Sequence, residues 1–291
     1  VEAIPDTALC SPSPVQLQAN STGTPSPILL TCGTNGTACG ATNLVRTLGS
    51  ATATTSNTSP FNSNDEDARF QYLIRASELD AAGFERGIIQ SIAFEVTSNN
   101  SGTTPFENFQ VSIGCTPLDV LGTDFETGLD VVFTPKNYVS TAGQNTIVLD
   151  NPYDWDGTSN IIIDICFDNP FAGIGADIVR FSPTGYTSVL YATQNFVAGG
   201  CNFSVGNGNT INDSDFRPDI TLDICEPPAG TFSYIWSPAA TLDDDSIQNP
   251  IANTAVPEVY TVTVTDGTCF AFDSLEIDFI TGYDLNMTGL N

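Results

Sequence analysis

The sequence predicts an all-β protein, and three observations support this prediction. Short segments alternate between apolar and polar residues with a period of two along most of the chain. Turn-forming residues, including 24 Gly and 18 Pro, separate these segments at intervals typical of β-sandwiches. One short stretch, SELDAAGF at 77–84, has a helical pattern, with Ser77 as its N-terminal cap and Gly83 at its end.

Eight strands are predicted in the middle of the chain. The clearest alternation is in FQVSIGC at 109–115, where the apolar side chains and Cys115 share one face and the polar residues share the other. The other predicted strands are 70–74, 91–96, 146–149, 160–167, 176–181, 188–193 and 219–225.

The end of the chain predicts a smaller β-sandwich that is discontinuous in sequence. A strand ends at Trp236 and a hairpin turns at Asp266-Gly267, but the strands that should precede Trp236 are missing. The N-terminal residues hold two short strands of the kind that this segment lacks. We expect a split domain of residues 1–28 plus 228–280, an inserted domain of residues 29–227, and a linker or inter-unit strand at 281–291.

The charge balance argues against several partners. The chain has 34 acidic and 7 basic residues, a net charge of −27. Phosphate backbones and anionic membranes would be repelled, because binding them requires clustered Lys and Arg. Nucleic acid binding is therefore not expected. Direct membrane insertion is not expected either, because no apolar run reaches the roughly 18 residues of a membrane-spanning helix.

The inventory of catalytic side chains is nearly empty. The chain has no His, which removes Ser-His-Asp and Cys-His catalysis. Lys136, the only Lys, lies in a polar segment and is interpreted as a surface residue. Carboxylate pairs of the glycosidase type arise by chance in so acidic a chain, so they carry little weight. The sequence predicts a protein that is not an enzyme.

Cysteine spacing predicts disulfides rather than a metal site. The eight cysteines contain no CxxC pair, and they are Cys10, Cys32, Cys39, Cys115, Cys166, Cys201, Cys225 and Cys269. Disulfides indicate an oxidising, extracellular compartment. We predict a Cys10–Cys269 bond within the split domain, closing a loop of about 260 residues.

The other pairings stay open at the level of sequence. A Cys32–Cys39 bond would clip a short loop. Cys115 would meet Cys166 or Cys201, but face parity opposes the first option: Cys115 lies on the apolar face of its strand, and Cys166 shares a face with two aspartates. Cys225 has no predicted partner.

Two acidic clusters are candidate Ca²⁺ sites. They comprise Asp65, Glu66 and Asp67 in the first, and Asp243, Asp244 and Asp245 in the second. Adjacent carboxylates repel, and a bound cation would relieve that repulsion. Neither cluster has EF-hand spacing, and the alternative is a solvated acidic loop.

Aromatic residues give a second possible function, since carbohydrate-binding sandwiches expose a platform of Trp and Tyr. Trp155 and Trp236 lie in or beside predicted strands, where packing in the core or a turn is the simpler interpretation. Tyr153, Tyr186 and Tyr191 are weaker candidates for an exposed platform.

Two stretches resemble a known group of proteins. The segment from YIWSPAATL through EVYTVTVTDGTCFAFDSLEI resembles PKD-like, immunoglobulin-type modules of Bacteroidota surface proteins. The segments QYLIRASELDAAGFERGIIQSIAFEVTS and PYDWDGTSNIIIDICFDN are similar to jelly-roll-like modules of large proteins exported by the type IX secretion system. The resemblance implies an immunoglobulin/PKD-like sandwich with an inserted jelly-roll-like sandwich.

The resemblance also implies a function. The chain would be a non-catalytic structural repeat unit of a large adhesin or filament at the cell surface, contacting copies of itself or neighbouring units. The alternative is a carbohydrate-binding module that takes surface glycans. The resemblance further implies O-glycosylation in the pattern Asp-(Ser/Thr)-apolar, with candidate sites at Thr7, Ser246 and Ser274.

Overall fold

A computed structural model describes residues 1–50, 53–55, 57–172, 175–195 and 199–280. The predicted strand or linker at 281–291 lies outside the described residues. The strands, in chain order, are β1 Glu2–Ile4, β2 Thr7–Leu9, β3 Val15–Gln16, β4 Gln18–Asn20, β5 Asn43–Leu48, β6 Thr54–Thr55, β7 Asn62–Ser63, β8 Asp67–Ile74, β9 Gly87–Ser98, β10 Phe106–Thr116, β11 Asp130–Tyr138, β12 Gly143–Trp155, β13 Asn160–Asp168, β14 Gly175–Ala176, β15 Ile178–Pro183, β16 Val189–Gln194, β17 Asn212–Ser214, β18 Phe216–Pro218, β19 Ile220–Cys225, β20 Ser233–Ser237, β21 Ile251–Ala252, β22 Glu258–Thr265 and β23 Phe270–Phe279.

The all-β prediction is confirmed. Besides the strands, the described residues contain one short α-helix, α1 Ala76–Ala81, and two 3₁₀ turns at Gly200–Asn202 and Val205–Asn207. The period of two appears directly in β22, where Tyr260, Val262 and Val264 are buried while the residues between them are half-buried. Strand identity follows from this alternation because one face of each sheet must be apolar.

The helix begins earlier than expected. Arg75, not Ser77, is the N-terminal cap, and its backbone amide donates to Glu78 Oε2 at 3.1 Å. The Ser77 cap prediction is therefore wrong, because Glu78 supplies the oxygen that closes the first turn. Gly83 does end the helix, in the left-handed region at φ 84°.

The chain forms two compact units, and each is described by itself. The split unit consists of Val1–Ile28 with the described part of Ala229–Asn291, and the inserted unit is Leu29–Pro228. Whether either unit belongs to the PKD-like or jelly-roll-like modules stays a prediction.

The split unit is built around a four-stranded sheet in the order β2-β23-β22-β20. The first strand joins in parallel, with Leu9 opposite Phe279, and the other pairs are antiparallel. Two small sheets, β1-β4 and β3-β21, complete the unit. Its core unites both chain segments, because Leu17 and Ala19 pack with Trp236 and Tyr260.

The inserted unit contains two larger sheets with an apolar core. One has the order β11-β10-β13-β8-β16-β17, and the other runs β18-β15-β9-β19-β5, with β12 paired to β9 and β6 paired to β15. In β13, alternate residues Ile161, Ile163 and Ile165 enter the large core. The residues between them therefore lie on the outer face of the six-stranded sheet.

The described residues form three disulfides, all in the inserted unit: Cys32–Cys115, Cys39–Cys225 and Cys166–Cys201. The predicted Cys32–Cys39 disulfide is wrong, because Cys32 is bonded to Cys115 of β10 and Cys39 is bonded to Cys225 of β19. Face parity explains the other two: Cys115 packs against the large core, and Cys166 lies on the opposite face of the sheet. The disulfides indicate an oxidising, extracellular or periplasmic setting.

The predicted Cys10–Cys269 bond is absent, since Cys269 is a free and exposed cysteine. The register of the sheet explains why. Strand β2 pairs with the end of β23 at Phe279, so Cys10 follows the strand there, whereas Cys269 precedes the other end at Phe270. A strand of that length separates the two ends by roughly 30 Å, far beyond disulfide reach.

Candidate functional site

Polar residues are concentrated on the outer face of the six-stranded sheet. Strand β8 sends Ala68, Phe70 and Tyr72 into the large core. Its other residues therefore face outward, among them Asp67, Arg69 and Gln71, all of them buried. Antiparallel pairing sets β13 beside them, with Asp164 opposite Gln71 and Asp168 opposite Asp67.

A buried ion pair is the centre of this face. Arg69 Nη2 lies 2.9 Å from Asp164 Oδ2, and Gln71 Nε2 donates to the same oxygen at 2.5 Å. Arg69 Nη1 also donates to the carbonyl of Phe203 at 2.9 Å, and Gln71 Nε2 to that of Glu126 at 2.7 Å. These bonds fasten two covering segments to the sheet, because each buried charge must keep its partners.

An open cavity of about 380 Å³ lies beside this ion pair. Its polar lining includes Gln110, Ser112, Glu126, Asn202 and Ser204, with Arg69 and Asp164 at its base. Such a lining can exchange hydrogen bonds with a hydroxyl-rich ligand. Arg69 and Asp164 already bond to each other and to neighbouring groups, so the guanidinium at the base of the cavity is not free to bind an anion.

The first acidic cluster is divided between two roles. Asp65 is tied into a hydrogen-bonded corner, where it accepts from Thr193 Oγ1 at 2.5 Å and from Asn195 Nδ2 at 2.8 Å. Asp67 is fully buried, and no hydrogen bond reaches either of its carboxylate oxygens. Asp65 and Asp67 thus have different surroundings, and Ca²⁺ binding by Asp65, Glu66 and Asp67 stays a prediction.

Asp67 instead meets Asp168, which sequence reasoning did not include. Burial raises the pKa of Asp67 to about 8, with further upward contributions from contact with the Asp168 carboxyl group and from the charge of Glu66, against a lowering by the Asn169 amide. The two aspartates are direct cross-strand partners. Only knowledge of the strand register brings them together, since 101 positions separate them in the chain.

The second acidic cluster lies in an exposed loop, where the carboxylates of Asp243 and Asp244 accept hydrogen bonds from nearby residues. Asp243 Oδ1 accepts from the backbone amide of Ile251 at 2.6 Å. Asp244 Oδ1 accepts from Ser246 through its amide at 2.8 Å and its hydroxyl at 2.6 Å, and these bonds lower the pKa of Asp244. The backbone carbonyl of Asp245 accepts from the amide of Trp236 at 2.8 Å. Ca²⁺ binding here stays a prediction.

None of the five aromatic candidates forms an exposed platform. Trp155 and Trp236 are each 1% exposed, and their indole N–H groups donate to Ser159 and Ile247 carbonyls at 2.8 and 3.0 Å. Tyr153 is buried, Tyr186 lies under the guanidinium of another residue at 3.6 Å, and Tyr191 stacks on a core ring. Packing is therefore the role of both Trp residues, as the simpler interpretation held.

The remaining candidates lie at the surface. Lys136 is exposed and pairs with Asp150 at 2.7 Å. Ser246 and Ser274 are exposed, and Thr7 is half-buried within β2. Cys32, Cys115 and Asp156 have the spacing of metal ligands, but the two sulfurs are joined to each other and cannot act as thiolates.

Comparisons with known proteins return nothing: no protein family, curated protein or solved structure matches this chain. No helix among the described residues is long and apolar enough to cross a membrane.

Proposed function

We propose that the chain is a non-catalytic structural unit of a large extracellular adhesin or surface filament, of the type that Bacteroidota export through the type IX system. Its role would be to transmit tension along the cell surface while contacting copies of itself or neighbouring units. The observation that carries the proposal is the parallel pairing of β2 with β23 in the split unit.

Parallel pairing matters because of the direction in which a pulled chain loads it. Tension on the segment before β2 and on the segment after β23 pulls these strands in opposite directions along their length. The hydrogen bonds between them then share the load in shear, instead of opening one after another as in a hairpin pulled at its open end. Shear raises the force needed for unfolding, a property useful in a load-bearing unit.

The inserted unit would carry the same tension through a covalent shortcut. Cys39 and Cys225 are bonded although 186 positions separate them. Backbone bonds from Gly40 to the Glu226 carbonyl at 2.7 Å and from Glu226 to the Thr42 carbonyl at 2.9 Å lie beside the bridge. Tension that enters the inserted unit before Cys39 therefore passes through the bridge and leaves after Cys225, without stretching the strands between these two residues.

Two exposed apolar side chains on the split unit support contacts with copies. Ile235 and Phe272 are 60% and 70% exposed, and they lie on either side of Thr263, the cross-strand partner of both. A protein of charge −27 repels its copies at long range, so apolar contact and screening by salt would be needed for assembly. O-glycosylation at Thr7, Ser246 or Ser274 is part of the same proposal, and intact-mass measurement of native material tests it.

Single-molecule stretching tests the load path. Tethering the chain outside β2 and β23, we expect one force peak for the split unit and no extension from residues between Cys39 and Cys225. Added reductant should release roughly 650 Å of further extension when the inserted unit unfolds. Opening of the split unit at the low force of an unzipping hairpin would contradict the proposal.

Assembly is tested separately by sedimentation and electron microscopy of native material in physiological salt. End-to-end chains are the expected result, because a heterologous contact whose rotation does not close into a ring adds one unit after another. The matched variants are Phe272→Ser, which should reduce assembly, and Phe171→Ser, an equally exposed Phe in the inserted unit, which should not. A monomer at high concentration would contradict this part of the proposal.

A carbohydrate-binding module is the second candidate, favoured by the polar cavity of about 380 Å³. A glycan array read with the wild type and with Gln110→Ala tests it, since Gln110 lines the cavity. Specific binding lost in Gln110→Ala would promote this function.

A further inference from the structure

We propose that Asp67 and Asp168 form a binding site for one Ca²⁺ ion at the end of strands β8 and β13. The inference does not depend on the load-bearing role, and it differs from a site at Asp65, Glu66 and Asp67 in its second carboxylate. It rests on the placement of the two aspartates, on their lack of a protein partner, and on the ligands that Ca²⁺ requires.

Placement is fixed by the register of the sheet. Asp67 begins β8 and Asp168 ends β13, and the two are opposed as direct Cα partners in an antiparallel pair. Opposed residues project to the same face with Cβ atoms about 5 Å apart. Their carboxyl groups are in contact, and Gln194 of β16 is the cross-strand partner of Asp67 on its other side.

No protein cation or committed hydrogen-bond donor neutralises Asp67, since the nearby Asn169 amide donates to the carbonyl of Glu66 at 3.1 Å. Its side chain is 0% exposed, and neither oxygen receives a hydrogen bond. A buried ionised carboxylate in this state is costly, so a native protein normally supplies a donor or a cation.

The charged residue nearest along the same face is committed elsewhere. Arg69 follows Asp67 by two positions, and its guanidinium bonds Asp164 Oδ2, the Phe203 carbonyl and the Glu126 carbonyl. The other charged neighbour of Asp67 is Glu66, which is also acidic. Every charge identified at the pair other than Arg69 is therefore negative, and a cation is what the site lacks.

The chemistry of the site suits Ca²⁺. Ca²⁺ takes six to eight oxygen ligands in flexible geometry, and two carboxylates supply up to four of these, with water or nearby backbone oxygens completing the shell. Half-burial of Asp168 leaves a route for solvent and ions. Extracellular modules with few carboxylates bind Ca²⁺ with dissociation constants of about 10⁻⁴ to 10⁻³ M, which matches millimolar extracellular Ca²⁺.

The competing arrangement is a shared proton, because two carboxyl groups in contact can also avoid repulsion when one of them is protonated. The two arrangements predict different behaviour. A cation site binds one Ca²⁺ per chain and gains thermal stability from it, whereas a proton-sharing pair without cation affinity shows neither effect.

The test is isothermal titration calorimetry of the full chain with CaCl₂ at pH 6 and pH 8.5, with thermal unfolding at the same Ca²⁺ concentrations. We expect one Ca²⁺ per chain at pH 8.5 and a rise in Tm on adding Ca²⁺. Asp168→Asn should weaken binding at least tenfold. Asp245→Asn, in the exposed loop of the split unit, is the matched control and should bind as the wild type does.

The titration extends to 10 mM CaCl₂, which is about ten times the largest dissociation constant expected. Absence of heat and of a Tm shift up to that concentration would overturn the proposal and leave proton sharing as the arrangement. Unchanged affinity in Asp168→Asn would also overturn it, and loss of affinity in Asp245→Asn instead would assign the ion to the other loop. If Asp168→Asn fails to fold, the wild-type titration decides, because one bound Ca²⁺ per chain together with a rise in Tm is required. Force and assembly measurements do not enter, so failure here leaves the load-bearing role untouched.

Discussion

The two units of this chain reach a folded state by different means. The inserted unit holds three disulfides and a large core rich in aromatic rings, with Phe61, Phe106 and Phe109 in mutual contact. The split unit has a core of ten buried residues, and its described residues contain no internal disulfide. Its two segments are joined by core packing, by backbone pairing and by side-chain hydrogen bonds such as that from the Ala3 amide to Asp273 Oδ2 at 2.8 Å.

A unit made of two separate chain segments would be expected to need disulfides more than a continuous unit does, but the opposite is observed. The continuous unit carries all three bridges, and the discontinuous one relies on residues such as Leu17 to bring its segments together. Each unit contains one of the two Trp residues, Trp155 and Trp236, both buried. Single-Trp variants therefore report each unit separately by fluorescence.

Opening the Cys39–Cys225 bridge should produce the largest effect. In the chain-entropy account, a loop of this length contributes up to about 5 kcal/mol, less what the other two bridges already restrict. We expect Cys39→Ser with Cys225→Ser to lower the unfolding midpoint of the inserted unit, followed through Trp155 in a Trp236→Phe background. Cys269→Ser, at an exposed free cysteine, is the control and should change nothing.

Leu17→Ala should break the split unit by removing a fully buried contact of the N-terminal segment. Such a truncation costs about 2–5 kcal/mol. The measurement is denaturant unfolding followed through Trp236 in a Trp155→Phe background. Leu29→Ala is the control, because Leu29 is 71% exposed. If Leu17→Ala left the Trp236 transition in place, the N-terminal segment would not belong to that core.

Asp266 should contribute a smaller, pH-dependent effect in the split unit. Its carboxylate accepts from the amides of Cys269 at 2.7 Å, Ser26 at 3.0 Å and Thr268 at 2.9 Å, and these bonds hold its pKa well below the usual range. Because the folded pKa lies below the unfolded one, the stabilisation is present above the unfolded pKa of about 3.9 and is lost as pH falls through the folded pKa.

Asp266→Asn keeps one acceptor oxygen but removes the charge. We expect it to lower the Trp236 midpoint at pH 7 by less than Leu17→Ala does, and to reduce the loss of stability between pH 5 and pH 2. An identical loss of stability with falling pH in wild type and variant would show that the bond from Ser26 to the Asp266 carboxylate does not help to hold the N-terminal segment on the rest of the split unit.

The smallest effect should come from the surface ion pairs. All four ion pairs found among the described residues lie in the inserted unit, and Lys136–Asp150 is among the more exposed. Exposed pairs contribute about 0–1 kcal/mol after screening. Lys136→Met should thus leave the Trp155 midpoint nearly unchanged at both low and high salt. A large salt-sensitive drop would mean that ion pairs, and not bridges and core, distinguish the units.

Local pattern predicted the secondary structure well because it reflects which face of a strand is buried. Each of the eight predicted strands of the middle region overlaps an observed strand, although the ends differ and the predicted strand at 176–181 is divided between β14 and β15. The same alternation correctly separated Cys115 from Cys166, since parity within a strand is a local property.

Properties that depend on which strands are neighbours were not predictable. The pairing of Cys39 with Cys225 and the opposition of Asp67 to Asp168 both follow from sheet order and register, which a single sequence does not specify. The Cys10–Cys269 error has the same origin, because the sequence shows that β2 and β23 belong together but not which end of β23 receives β2.

The Cys39–Cys225 bridge also makes the inserted unit a closed ring in covalent terms. A protease that cuts the backbone once between these residues opens the ring but does not divide the molecule, since the bridge still connects both sides. The segments of the split unit would remain attached through it even after further cuts between these residues, and their covalent separation requires reduction of the bridge or a cut outside the ring. A protein exposed to extracellular proteases can in this way lose a peptide bond within its largest unit and keep its two ends joined.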